Sequence, residues 1–410
     1  MDIIALYPGP NLSKRYHRQY VRPYMLRNIM RLPLTDPKNQ ASVDMNELCK
    51  MVDEFIGKGF RYFDLAYVYH HGACETAFCE AVAKRYPRDK YDVATKMPVV
   101  MLQSKEQQEQ IFNDQLQKCD VDYFDYYLLH NMTAATFPNA IKLGSFDFLR
   151  EKKKSGKIHK IGFSFHDSPE LLDEILTQNP DMDFVQLQIN YLDWDDIAIQ
   201  SSKCHAVAKK HGKDIVIMEP VKGGALANIP EEAERIFKEY NPSLSAASWA
   251  VRFAASQENV IAVLSGMSSL SQVQDNVSYM EDFSPLTEEE NNVIKQAVSK
   301  IREAIKIPCT SCRYCETHCP KNIAIPEYFT LYNTLQMATN KDMAIQTWYY
   351  LQLMGTRGKP TDCIECRKCE DMCPQHLHIP EYLQEVNAGF AGSMRLWGGK
   401  EHQLRSDLNN

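Results

Sequence analysis

The sequence predicts an α/β chain, a (β/α)8 TIM barrel followed by a small α-rich domain organised by cysteines. Three observations carry this. Short apolar runs alternate with amphipathic stretches eight times before residue 300, as β/α units do. The glycine fingerprint G-x-G-x-x-G, which an open dinucleotide-binding sheet carries after an early strand, does not occur. A cysteine pattern is written twice between residues 309 and 373.

The candidate strands are 25–31, 60–65, 91–96, 124–129, 158–164, 184–189, 214–219 and 260–264. Helical patterns lie at 44–57, 75–85, 105–119, 140–155, 168–178, 196–211, 231–254 and 269–279. The first strand is the least regular, because Arg27 and Asn28 interrupt its apolar pattern. Residues 287–305 read as a closing helix: Thr287 and Glu290 make a capping box, and Val293, Ile294, Ala297, Val298 and Ile301 form an apolar stripe. Pro308 ends that helix. Residues 327–354, with Phe329, Leu331, Leu335, Trp348, Tyr349 and Leu351, read as packed helices between the two cysteine motifs. The tail after 388 is rich in Gly and polar groups and reads as chain draped over a surface. The expected division is an N-terminal arm at 1–24, the barrel at 25–305, the cysteine domain at 306–388 and the tail at 389–410.

Cys309, Cys312, Cys315 and Cys319 before Pro320 recur, with a constant offset of 54 residues, as Cys363, Cys366, Cys369 and Cys373 before Pro374. Ile325-Pro326-Glu327-Tyr328 recurs as Ile379-Pro380-Glu381-Tyr382 at the same offset. C-x2-C-x2-C-x3-C-P is the bacterial ferredoxin pattern for a cubane 4Fe-4S cluster, whose fourth cysteine ligates the other cluster. The spacing therefore assigns Cys309, Cys312, Cys315 and Cys373 to one cluster and Cys363, Cys366, Cys369 and Cys319 to its partner. Zinc is the alternative, but four-thiolate zinc sites use two close pairs and a spacer, without a third cysteine at the same interval.

Of 13 cysteines, the five outside the repeat (Cys49, Cys74, Cys79, Cys119 and Cys204) show no framework spacing and read as buried free thiols in a reducing cytoplasm. A formal charge of −7 provides no basic field for nucleic acid. No apolar run approaches the roughly 20 residues of a membrane helix, and the first residues lack the pattern of a secretory leader.

Barrel enzymes work at the C-terminal ends of their strands. Those positions hold Asp64 and Tyr69, then Lys96, then His130, followed by Ser164, Gln188 with Asn190, Glu219 and Ser265. Singly, each has an ordinary reading as a turn, a cap or a core residue. Together, the first four make a proton-transfer device. An ammonium near a phenol lowers its pKa from about 10. Asp64 would orient Lys96, and His130 would hydrogen-bond a substrate oxygen. Such a site polarises a carbonyl and delivers a proton, which suits hydride transfer.

Tyr62-Phe63-Asp64-Leu65-Ala66-Tyr67-Val68-Tyr69, Ala94-Thr95-Lys96 and Asp125-Tyr126-Tyr127-Leu128-Leu129-His130 resemble the aldo-keto reductase superfamily. The likeness continues through Ile161-Gly162-Phe163-Ser164, Gln186-Leu187-Gln188, Pro220 to Leu226, and Ser265-Gly266-Met267 as far as Asp275-Asn276. With the cysteines, the chain is similar to the subgroup fused to a ferredoxin-like tail. The resemblance implies Asp64, Tyr69, Lys96 and His130 as the catalytic tetrad, with Tyr69 as general acid. It implies NADPH or NADH across the barrel mouth, with the carboxamide on Ser164 and Gln188. Met218, Glu219, Pro220 and Val221 would run beneath the pyrophosphate. Gly266, Met267, Ser268 and Gln272 would cover the adenosine end, with Asp275 and Asn276 on the adenine. Phe165 stands where the family usually has Asn, and Met218 where an aromatic commonly stacks under the nicotinamide. Gly266 and Gln272 replace the Lys and Arg that clamp the 2′-phosphate in many members, so NADH or dual use is implied as readily as NADPH. The subgroup's Gly-rich first strand reads Leu26-Arg27-Asn28 here.

The implied activity is reduction of an aldehyde or ketone, or oxidation of the alcohol, of the EC 1.1.1 type. Nicotinamide moves two electrons and a cubane one, so a flavin remains an alternative cofactor that barrels can bind without a motif. The clusters would relay electrons from ferredoxin or another carrier, dock the tail, or shape the active-site mouth. The competing reading is an electron-transfer or regulatory protein with a non-catalytic barrel. Lys14, Arg15, Arg18, Arg22, Arg27 and Arg31, with no acid among them, form either a solvated arm or a docking site for an acidic partner. His70 and His71 would line the substrate mouth or ligate a metal. Glu75 would support Lys96 from behind or complement a helix dipole.

Overall fold

A computed structural model describes residues 24–28, 32–36, 39, 41–197, 199–303, 305–309, 311–337, 345–373 and 375–407. The basic arm falls outside them, apart from the backbone of the first strand. Eight parallel strands close into a barrel in chain order. They are β1 (Tyr24–Asn28), β2 (Tyr62–Asp64), β3 (Asp92–Met97), β4 (Phe124–Met132), β5 (Ile158–Phe165), β6 (Phe184–Gln188), β7 (Asp214–Met218) and β8 (Val260–Ser265). β1 closes the ring against β8, Leu26 opposite Leu264. The interior is packed rather than hollow: Tyr62, Ala94, Leu128, Phe184, Val216, Ala262 and Leu264 form one buried cluster.

The helices up to residue 303 are α1 (Met45–Gly57), α2 (Ala73–Phe78), α3 (Lys105–Cys119), α4 (Phe137–Lys142), α5 (Ser145–Lys154), α6 (Pro169–Gln178), α7 (Ser201–Lys210), α8 (Glu231–Tyr240), α9 (Ala246–Ala255), α10 (Leu270–Met280) and α11 (Glu288–Glu303). Local signals set their starts. Asp44 accepts from the Glu47 amide at 3.0 Å, and Ser168 caps α6 with Pro169 behind it. The capping box before α11 is present: Glu290 N–H donates to Thr287 Oγ1 (3.1 Å), and Thr287 N–H to Glu290 Oε2 (2.8 Å). The helix expected over 231–254 is two helices, because Asn241-Pro242 interrupts it and the Asn241 side chain accepts from the Ser243 amide at 3.0 Å.

The cysteine region adds α12 (Ile325–Met337), α13 (Gln346–Thr356), α14 (Lys368–Asp371) and α15 (Ile379–Asp407). The expectation of a draped tail after 388 is corrected, since α15 runs on through it. Gly389 is the reason rather than an obstacle: a Cβ there would lie 2.5 Å from the Tyr332 ring. The next residue, Phe390, stacks on Tyr350 with centroids 4.2 Å apart. By contact density the chain forms two compact units. The first holds Met1–Trp194, Ser201–Pro220 and Ser248–Asn291, and with them every strand. The second holds Asp195–Gln200, Val221–Ala247 and Asn292–Asn410. No described helix is long and apolar enough to cross a membrane.

Gly162 on β5 faces the Phe184 backbone so closely that a Cβ would sit 2.4 Å from its carbonyl oxygen. Gly162→Ala is expected to lower stability by about 1–3 kcal/mol, read as an earlier denaturant midpoint; an unchanged midpoint would show that β5 can yield there.

Candidate functional site

Asp64 ends β2 and Lys96 lies near the end of β3, adjacent strands paired Asp64 to Ala94. Both side chains are buried, at 0% and 1% exposure. The Lys96 ammonium donates to Asp64 Oδ1 and, at 2.8 Å, to the Leu65 carbonyl. Gln186 Nε2 donates to Asp64 Oδ2 at 3.2 Å, so both carboxylate oxygens are engaged. Lys96 Nζ stands 5.1 Å from the Tyr69 ring centroid. His130 meets the same phenol edge-on, with centroids 5.7 Å apart at 86°. All four expected catalytic residues therefore converge.

Local backbone places the two rings. After β2 the chain turns through Tyr69–Gly72 with His70 and His71 at φ 52° and 54°, a left-handed conformation that costs a non-glycine residue energy. His70 is buried, and its Nε2 accepts from the Leu32 amide at 3.1 Å. Among the described residues neither histidine belongs to a group with metal-binding spacing. On β4 the register shifts between Leu129 and Met132, with Asn131 at φ 64°, a bulge that re-aims His130 at the rim. Burial, then the Lys96 charge and His166, hold the His130 pKa well below the ordinary value of 6.5. The imidazole is therefore neutral.

Behind Lys96 lies a buried polar layer. Glu75, in the first turn of α2, is 0% exposed. Its Oε1 accepts from Thr95 Oγ1 and Gln115 Nε2, both at 2.8 Å, while Oε2 has no hydrogen-bond partner. Gln115 also donates to the Lys96 carbonyl at 3.1 Å and accepts from the Tyr127 hydroxyl at 2.5 Å. Burial raises the Glu75 pKa from 4.5 to about 7, against the pull of the Thr95 and Gln115 hydrogen bonds. Glu75 thus supports Lys96 through Gln115, beyond any effect on a helix dipole. Gln115 was not foreseen, yet its signal is legible: it sits in the buried stripe of α3 with Ile111, Phe112 and Cys119.

Ser164 Oγ, 1% exposed, accepts from the Asn131 amide at 2.8 Å, which leaves its hydroxyl hydrogen to donate elsewhere. Gln188 Nε2 and Asn190 Nδ2 both donate to the buried Asp193, at 2.8 and 2.7 Å. A carboxylate only accepts, so Asp193, also unforeseen, turns both amides the same way. These groups fit a carboxamide, which needs one donor and one acceptor. Met218 and Pro220 are buried and Glu219 is half-buried at φ 56°. Gly266, Ser268 and Gln272 are exposed, Met267 is buried, and Gln272 Oε1 accepts from the Ser268 amide at 2.7 Å. Asp275 is half-buried. Asn276 is buried, donates to Ser265 Oγ at 2.7 Å and accepts from the Tyr279 hydroxyl. In the second unit, Val221 leads into a turn at Lys222–Ala227 with Gly223 and Gly224 at φ 66° and 95°.

The cysteine motifs line two hollows. One is lined by Cys309, Cys312, Cys315 and Cys373. The other is lined by Cys363, Cys366, Cys369 and Cys319. Each fourth cysteine has crossed to the other hollow, as the spacing predicts. Burial and neighbouring thiols push Cys315 up to about 12, and burial first pushes Cys369 up to about 11. Such sulfurs resist ionising together unless cations join them, a donor set that fits an iron–sulfur cubane. Of the other thiols, Cys74, Cys79, Cys119 and Cys204 are buried and Cys49 is only half-buried.

Comparison with known proteins matches residues 34–299 to the aldo/keto reductase family and residues 308–378 to a 4Fe-4S dicluster domain. A solved aldo-keto reductase from Bacillus halodurans, in its holo form, is similar at 24% identity and TM-score 0.52, over 62% of this chain and 88% of that one. A glycerol dehydrogenase from Gluconobacter oxydans is similar at 20% identity and TM-score 0.51, over 67% and 89%. An aldo/keto reductase from Klebsiella pneumoniae, solved with NADP and acetate, is similar at 16% identity and TM-score 0.51, over 65% and 90%. These likenesses are of fold. Comparison with curated protein sequences found no match.

Because the folded Glu75 pKa is raised, the native state keeps a proton that the unfolded chain releases between pH 4.5 and about 7. Its contribution to stability therefore falls as pH rises through that window. Relative to wild type, Glu75→Gln should gain roughly 3 kcal/mol from pH 4.5 to 7, measured by denaturant unfolding. A pH-independent difference would show that Glu75 is ionised throughout.

Proposed function

The chain belongs to the aldo/keto reductase family, and we propose that its barrel reduces a small aldehyde or ketone, or oxidises the alcohol, by hydride exchange with NAD(P)H. The observation that carries this is the convergence of Asp64, Lys96, Tyr69 and His130 at one rim. A reduced nicotinamide supplies a hydride to the carbonyl carbon when bound. Everything else falls to the chain. Ser164 and Gln188 hold the carboxamide, with Asp193 fixing the Gln188 orientation. Met218, Glu219, Pro220 and Val221 underlie the pyrophosphate. Gly266, Met267, Ser268 and Gln272 flank the adenosine, with Asp275 and Asn276 at the adenine.

Tyr69 gives its phenolic proton to the carbonyl oxygen as negative charge develops there. The Lys96 ammonium favours the phenolate left behind. His130 is neutral, so it orients the oxygen by hydrogen bonding and leaves proton delivery to Tyr69. No cation stands at Gly266 or Gln272 to clamp a 2′-phosphate, so both NADH and NADPH are accepted.

In the dicluster domain, Cys309, Cys312, Cys315 and Cys373 hold one cubane and Cys363, Cys366, Cys369 and Cys319 the other. They pass single electrons to or from a carrier such as ferredoxin. Anaerobically purified protein should hold about eight irons per chain, two cubanes of four. Cluster-cysteine variants that fold yet still exchange electrons normally with ferredoxin would remove the relay.

NAD(P)H oxidation with a panel of small aldehydes tests the barrel. Tyr69→Phe should lower kcat by about 100-fold or more, and full activity in that variant would end the proposal. Because His130 is held neutral, kcat should show no acidic limb near pH 6.5; a limb there would make the imidazole the acid.

A further inference from the structure

The sequence repeat is also a repeat of backbone. Ser311, Arg313 and Asn322 have φ of 60°, 65° and 52°, and their counterparts 54 residues on, Glu365, Arg367 and His376, have 54°, 56° and 51°. Solvent access to sulfur repeats as well: Cys312 and Cys366 are exposed, Cys315 and Cys369 buried, and Cys309, Cys319, Cys363 and Cys373 intermediate. The arginines repeat with their neutralising partners. Arg313 pairs with Glu316 and Glu327 at 2.7 and 2.5 Å, and Arg367 with Glu370 and Glu381 at 2.8 and 2.5 Å. Cluster type, amide geometry, exposure and the nearest arginine therefore match between the two hollows.

Two positions break the match, 318 and 321. His318 lines the hollow of Cys363, Cys366, Cys369 and Cys319, whereas its counterpart Met372 does not line the other. Lys321 lines the hollow of Cys363, Cys366, Cys369 and Cys319. Its counterpart Gln375 lines the hollow of Cys309, Cys312, Cys315 and Cys373. Lys321 is exposed and, among the described residues, makes no ion pair. Resting on the two-cluster reading above, we propose that Lys321 makes the cubane on Cys363, Cys366, Cys369 and Cys319 the first to accept an electron. A positive charge beside a cluster stabilises the form that has gained negative charge and so raises its potential. One electron from a low-potential donor reduces that cubane by one charge, without a bond made or a proton taken up. The second electron goes to the other cubane. The opposing feature is Glu365, where Ser311 stands in the first motif. Its carboxylate accepts from Gln384 Nε2 at 2.9 Å and does not line the hollow, yet its charge acts on the Cys363 sulfur, so Lys321 has to outweigh it.

The test is a dithionite titration of the anaerobic full-length protein, followed by electron paramagnetic resonance with iron and sulfide analysis. Two separate one-electron waves are expected. Lys321→Gln, which copies the residue at 375, should lower the higher wave towards the other, and Lys321→Gln with Gln375→Lys should restore two waves. Full iron content with a single wave, or a Lys321→Gln variant in which the lower wave moves, would overturn the proposal alone. Protein without iron would overturn it together with the two-cluster reading. Should Lys321→Gln fail to load iron, Gln375→Lys in the wild-type background decides: closer waves support the proposal, and unchanged waves refute it.

Discussion

A lysine and an aspartate, both shut away from water, meet at the ends of neighbouring strands, and the chemistry of the barrel hangs on that meeting. Neither charge is tolerable alone in such surroundings, and even a pair repays its desolvation only when its remaining hydrogen bonds are made. Here they are: Leu65 gives its carbonyl to Lys96 and Gln186 its amide to Asp64. The pair is built by register, since Asp64 lies opposite Ala94 and Lys96 is two residues on. A slip of one residue would turn one of the two side chains to the other face of the sheet. Strand pairing and the charge placed beside Tyr69 are therefore one constraint.

The polar layer on the far side of β3 follows from that constraint. Lys96 points into the barrel mouth, so Thr95 points outward between the strand and its helices. A hydroxyl there needs partners, and Glu75 and Gln115 supply them. The unpartnered Glu75 oxygen and the raised pKa agree: a neutral carboxyl is tolerated where a full buried charge would be costly.

How much of this was legible depended on whether the signal was local. Strand positions could be read because parallel strands buried on both faces are short apolar runs. Asp64, Lys96 and His130 could be singled out because they lie at or near the ends of such runs, and Tyr69 because it follows one in the next turn. Gln115 was less visible because it acts on Lys96 from 19 residues away, and Asp193, five residues after Gln188, because it lies past the strand end in a loop without a pattern of its own. The helix over 231–254 was read as unbroken because its apolar period survives Asn241-Pro242, although proline removes a donor and disfavours a helical residue before it. The tail failed for the opposite reason. Glycine counted as a helix breaker by propensity, but Gly389 lies against the flat face of Tyr332, where any side chain would collide.

The two halves of the chain handle electrons in different units, and that mismatch shapes what each can contribute. In the proposed reaction hydride transfer would move a pair in one step and the Tyr69 proton would complete it within the barrel, so that half would close its own reaction. A cubane accepts one electron and no proton, and two of them together match the electrons of one hydride but not its proton. Joining the two would require a group that takes a pair and releases it singly, as a flavin does; without one, the proposed exchange with a one-electron partner would be chemically separate from carbonyl reduction. The symmetry of the cysteine repeat fits such a role. Two sites alike in backbone, exposure and arginine pairing but unlike in the side chains that line them would give the proposed path for single electrons a direction.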